Sequence, residues 1–138
     1  MSTSEISFEL IARRFVDGFN RRDAESLVVL SDPNIVFYST AVIGTGGRYD
    51  GHDGLRRWVA DLEESGIGHQ GRLREVRPTE EGFVLFSDVM LDGKLITPAA
   101  LVVTLNERHL ITEARGLLTD SELLTRVGVM EDDSSGIA

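Results

Sequence analysis

Residues 83–105 read FVLFSDVMLDGKLITPAALVVTL. Two apolar runs, Phe83–Leu91 and Leu95–Leu105, flank the dipeptide Asp92-Gly93. That dipeptide is a hairpin signal, because both residues accept the positive φ that a two-residue turn demands. The runs predict two long antiparallel strands, the second with Pro98 near its start. Successive strand side chains point to opposite faces. Leu85, Ser87 and Val89 therefore share one face, and Val84, Phe86 and Met90 the other. Both faces are apolar, so each needs a cover.

Working outward, Gln70–Arg77 is a more polar strand. Leu73 and Val76 are its large apolar residues, and Arg72, Arg74 and Arg77 suit a solvated edge that resists aggregation. Asn106–Arg108 is a turn, and His109–Leu118 is the last strand, with Ala114, Gly116 and Leu118 on one face. Upstream, Gly51–Ser65 carries Leu55, Trp58, Val59 and Leu62 at helical spacing. Asn34–Thr40 is rich in β-branched and aromatic residues and predicts an early strand. The loop holding Gly44, Gly46 and Gly47 lacks the Gly-Lys-Ser/Thr of a phosphate-binding loop. At the start, Ser2 and Glu5 have capping-box spacing. Phe8, Ile11, Ala12, Phe15 and Phe19 then form one helical face. Asp23 can cap a short helix, Ala24–Leu30, which Asp32-Pro33 stops. Near the end, Glu122–Val127 predicts a short helix, and residues 130–138 an acidic, frayed tail.

These elements make residues 1–129 a single α+β domain, three helices covering one face of a curved antiparallel sheet. The second face of the hairpin then calls for another cover. In so small a chain the expected cover is a second copy, giving a homodimer through the outer sheet face.

Composition narrows the chemistry. The chain has 138 residues, no cysteine, three histidines and a net charge of −9. Disulfides, thiol catalysis and cysteine-based metal sites are excluded. Scattered histidines without ligand spacing predict no metal, and no cofactor is expected. A nucleic-acid partner is not expected, because phosphate binding needs clustered Lys and Arg, and Lys94 is the only lysine. The first residues carry no basic, apolar leader and no stretch reaches membrane-spanning length, so the expectation is a cytoplasmic chain without a membrane partner.

Four segments, taken in order, resemble the nuclear transport factor 2-like superfamily and its SnoaL-like branch. They are the helix end FVDGFNRRDAESL, the strand DPNIVFYS, the stretch RYDGHDGLRRW and the closing run ITEARGLLTDSELLTRVGV. The resemblance covers about residues 5–129 and implies a cone-shaped fold with a pocket between the helices and the concave sheet face. It implies that Phe15, Phe19, Phe37, Tyr49 and Trp58 line the pocket from the helices and early strand segments. From the later strands it implies Leu85, Ser87, Val89, Ala99, Leu101, Val103, Ala114, Gly116 and Leu118.

The positions that serve ketosteroid isomerases fall on Phe15, Phe37 and Leu101, so that mechanism is not expected. Asp88 and Arg115, the residues closest to an epoxide-hydrolase network, alternate to the opposite face. Three polar candidates remain for catalysis. Asp120 could act as a general base, and His52 or Tyr38 could polarise a carbonyl. The expected function is binding of a small apolar molecule. A cyclase or isomerase using Asp120, and a non-catalytic dimeric interaction module, stand as alternatives.

Overall fold

The computed structural model describes residues 3–39 and 47–118. The elements are α1 (Thr3–Asn20), α2 (Ala24–Val28), β1 (Ser31–Ser39), β2 (Gly47–Asp50), α3 (Gly51–Ser65), β3 (Gln70–Pro78), β4 (Gly82–Leu91), β5 (Lys94–Leu105) and β6 (Ile111–Leu118). One six-stranded sheet has the order β2-β1-β6-β5-β4-β3. Its neighbours are antiparallel except β1 and β6, which run parallel.

The β4–β5 hairpin forms as its turn chemistry dictates. Asp92 and Gly93 take φ of 52° and 77°, the left-handed values of a primed turn. Leu85 pairs with Leu101 and Ser87 with Ala99, which places all four on one face. Pro98 is tolerated because β5 runs past the end of β6, where Leu118 pairs with Ala99.

Three boundaries move by two residues or more from their expected places. The second helix ends at Val28 rather than Leu30, and Ser31 Oγ donates to the Leu27 carbonyl at 2.8 Å. β1 starts at Ser31 and runs through Pro33, which lies in an irregular stretch between the paired residues Ser31 and Val36. The last strand starts at Ile111 rather than His109. Asn106 Oδ1 accepts from the N–H groups of Arg108 and Leu110, holding a longer turn in which His109 has φ of 62°. Asp23 caps α2 as expected, Oδ1 accepting from the Ser26 N–H at 3.3 Å and Oδ2 from the Ser26 hydroxyl at 2.7 Å.

β2 was not expected. Its four residues have no apolar alternation, yet Tyr49 pairs with Phe37 and is buried. Gly54, in the first turn of α3, lets that helix close on β2. A Cβ there would lie 2.8 Å from the Tyr49 carbonyl carbon.

α1 and α3 cover the inner sheet face. Phe15, Phe19 and Trp58 come from the helices, and Phe37, Leu85, Leu101 and Val103 from the sheet. Burying each large apolar side chain contributes about 1.5–3 kcal/mol, so this layer dominates the stability. The outer face carries a second, smaller cluster, in which Val84 and Ala100 pack with Phe86 and Val102. No helix among the described residues is long and apolar enough to cross a membrane.

Candidate functional site

The aromatic stripes of α1 and α3 meet β1 over the inner sheet face. The Trp58 ring centroid lies 4.3 Å from that of Phe37, 5.7 Å from Phe19 and 6.4 Å from Phe15. Aromatic groups at such separations pack with favourable tilted or offset geometry. Beyond this cluster the inner face narrows to small residues, Gly71, Ser87, Ala99 and Gly116, and a cavity of about 70 Å³ opens there. The cavity is open on one side, so a molecule larger than this volume projects past the rim.

The buried part of the lining is apolar and aromatic. The partly exposed part, where the cavity meets solvent, includes Val16, Ser39, Gly71, Ser87, Gly116 and Leu117. The polar side-chain groups of the lining are the hydroxyls of Ser39 and Ser87 and the Trp58 indole N–H. Ser39 Oγ accepts from Trp58 Nε1 at 3.2 Å. No carboxylate, imidazole, ammonium or guanidinium group lines the cavity among the described residues.

Of the expected lining, Phe15, Phe19, Phe37, Trp58, Leu85, Ser87, Val89, Ala99, Leu101 and Gly116 come together around this cavity. Ala114 and Val103 lie deeper, in the core, where they pair with each other. Leu118 ends β6, and its side chain lies outside the described residues. Tyr49 does not reach the cavity. It is a core tyrosine, its ring beside Phe37 and its hydroxyl donating to Asp61 Oδ2 at 2.8 Å.

Two of the catalytic candidates, Tyr38 and His52, stand away from the cavity. Tyr38 follows Phe37 in β1 and so faces away, its ring 4.0 Å from the Arg115 guanidinium carbon. His52 sits in the first turn of α3, with Nε2 2.9 Å from the Ser31 carbonyl, and is absent from the cavity wall. Asp120, the expected final helix and the acidic tail lie outside the described residues.

Alternation could have supplied Ser39, two residues after Phe37 on the same face, and helical spacing could have supplied Val16, three residues before Phe19. Gly71 enters because it pairs with Val89. Ala100 and Leu117, paired with each other, border the cavity although alternation assigns their side chains to the outer face.

A charge cluster built on a buried carboxylate lies on that outer face. Asp88 is 2% exposed, and its carboxylate accepts from Arg72 at 2.7 Å and Arg74 at 3.4 Å. The Arg72 hydrogen bond, with Arg74 beside it, holds the Asp88 carboxyl below its usual range despite the opposing effect of burial. Burial, and then the Arg22 charge, push the His69 imidazole below its usual value. A broader groove of about 480 Å³ lies between α1 and β3, bordered by Glu9, Arg13, Asp17, Arg74 and Glu75, and is highly charged. Among the described residues no group of three or more acidic or histidine side chains could hold a metal ion.

No protein-family model matches the sequence, and no curated protein matches it. Solved structures do match in fold. A protein of the SnoaL-like family from Agrobacterium tumefaciens str. C58 superposes with a TM-score of 0.69 at 15% identity, covering 82% of this chain and 97% of that one. A proposed polyketide cyclase from Sinorhizobium meliloti gives 0.62 at 15% identity, covering 78% and 93%. TerC, co-crystallized with polyporic acid, gives 0.64 at 19% identity, covering 84% and 93%. The helix-covered, unclosed sheet, the aromatic floor beneath its concave face and these superpositions together give the chain the cone-shaped α+β fold of the SnoaL-like, nuclear transport factor 2-like superfamily.

Proposed function

We propose that this protein binds a small, uncharged, largely apolar molecule in the cavity between α1, α3 and the concave sheet face. The observation that carries the reading is the composition of the wall, an aromatic floor and two serine hydroxyls with no titratable side chain among the described residues. An ion entering such a site would lose its hydration without gaining a partner, a cost of several kcal/mol, whereas an apolar ring gains burial. Ligand sites are commonly apolar pockets with few polar groups. The co-crystallization of TerC with polyporic acid supports a small-molecule role for a protein of this fold.

Native mass spectrometry of the purified chain, with a library of small neutral ring compounds, tests the reading. Retained mass or saturable binding is expected, and Ala99→Leu should abolish it by filling the cavity while leaving a folded protein. Binding that survives Ala99→Leu, or no binding by any neutral compound, would overturn it.

The same reading pairs two copies through the outer sheet face. Phe86 and Val102 stand on that face beside Val84 and Ala100, and Arg72, Arg77 and Arg115 accompany Glu75 and Glu113, so a two-fold axis can set opposite charges against each other. Light scattering should give twice the chain mass, and Phe86→Asp should give the single mass. A wild-type monomer would sink the dimer without touching the cavity.

A further inference from the structure

We infer that Ser87 is the hydrogen-bonding anchor of this cavity. The molecule bound there then carries one uncharged polar group, a hydroxyl or a carbonyl, on an otherwise apolar body. The inference rests on the binding reading above and specifies its ligand.

Ser87 lies in the middle of β4, on the inner face. Its same-face neighbours along the strand are Leu85 and Val89, and its cross-strand partners are Leu73 on β3 and Ala99 on β5. All four are apolar. Ser87 is partly buried, lines the cavity, and its hydroxyl makes no hydrogen bond among the described residues. The second hydroxyl of the wall differs, because Ser39 accepts from the Trp58 indole.

A serine at such a position gives the fold little. It packs less apolar surface than valine, has a lower strand preference, and its hydroxyl has no protein partner among the described residues at this partly exposed position. Alanine would serve the strand as well without a hydroxyl. What the hydroxyl offers is one donor and two acceptor positions, open to an incoming hydroxyl or carbonyl alike. Gly71 and Ala99 beside it leave the room that such a group needs.

The test uses two probes that differ by one hydroxyl, benzene and phenol, with wild type and Ser87→Ala. Trp58 is the only tryptophan of the chain and its ring lines the cavity, so its single indole N–H signal in ¹H–¹⁵N spectra reports occupancy. The ratio of phenol to benzene affinity should fall about fivefold in Ser87→Ala, the effect of one neutral hydrogen bond, while benzene binds both proteins equally. Ser87→Ala should melt at or above the wild-type temperature. Benzene binding with an unchanged ratio would overturn the anchor and leave the binding site standing. A variant melting well below wild type would show that the hydroxyl serves the fold, and would also overturn it. If neither probe shifts the Trp58 signal of the wild type, the anchor falls, and the library experiment above decides the binding reading by itself.

Discussion

Asn20 and Gly71 exchange two hydrogen bonds: Asn20 Nδ2 donates to the Gly71 carbonyl at 2.9 Å, and the Gly71 N–H donates to Asn20 Oδ1 at 2.6 Å. The side-chain amide at the end of α1 thus takes the place of a neighbouring strand along the edge of β3. An unpaired edge invites another chain. Asn20→Ala strands both backbone groups and should destabilise the protein by about 1–3 kcal/mol. Asn20→Asp keeps the acceptor but sets a carboxylate against the Gly71 carbonyl, so it should not restore stability. Chemical denaturation of the three proteins checks the order, and wild-type stability in Asn20→Asp would contradict the two-way exchange.

Arg22 ties the end of α1 to the segment after α3. Its guanidinium donates to the carbonyls of Phe19 at 2.7 Å, Ile67 at 3.3 Å and His69 at 2.9 Å, and it lies over the Phe19 ring. Its backbone has a positive φ of 53°, which glycine tolerates better than any other residue. Arg22→Ala should lose about 1–3 kcal/mol by uncapping these carbonyls. Arg22→Gly loses the same contacts but relieves the backbone, so it should melt above Arg22→Ala. The reverse order of melting temperatures would show that the backbone is unstrained at this turn.

Acid should weaken the fold in two steps. His69 has its folded pKa depressed by burial and by Arg22, so only the unfolded chain protonates readily near pH 6.5. Its contribution is full above that pH and is lost as pH falls toward the folded value. Asp88 has its folded pKa depressed by the Arg72 hydrogen bond and by Arg74. Its stabilisation is full above the ordinary carboxylate value of about 3.9 and is lost as pH falls through the folded one. Urea unfolding from pH 8 to pH 3 should show both losses. His69→Gln should flatten the upper step alone and Asp88→Asn the lower. If each variant keeps the wild-type profile, these groups do not govern the acid response.

Gly54 should not accept even a methyl group. The Cβ of alanine would press on the Tyr49 backbone, which is fixed by pairing with β1, so α3 must shift and take Trp58 with it. Overpacking of this kind costs about 1–3 kcal/mol. Gly54→Ala should lower the melting temperature and move the Trp58 indole signal. An unchanged indole signal would show that α3 yields without disturbing the cavity floor.

The parts legible in the sequence were those with a strong local period. Residues 83–105 gave both long strands, their turn and the faces of Leu85, Ser87, Val89, Ala99 and Leu101, because alternation is fixed once a strand is fixed. β2 was illegible because Arg48 and Asp50 leave Tyr49 as its only apolar side chain, and its pairing partner lies outside its own segment. Tyr38, Tyr49 and His52 lie away from the cavity for related reasons. Tyr38 is one residue from Phe37 and therefore on the other face. Tyr49 and His52 are committed to Asp61 and the Ser31 carbonyl, contacts that no local pattern announces.

The parallel pairing of β1 with β6 also bears on how the chain is made. Phe37 sits beside Ala114, and Ser31 beside Ile111, across most of the sequence. The first strand emerges from the ribosome long before its inner neighbour exists. Until β6 arrives, the aromatic floor built on Phe37 has no second wall, and β1 must wait with one edge open. Long-range closures of this kind slow folding. Synthesis truncated before residue 111 should therefore leave Trp58 in an unpacked environment, with the rigid environment appearing only when the last strand is complete.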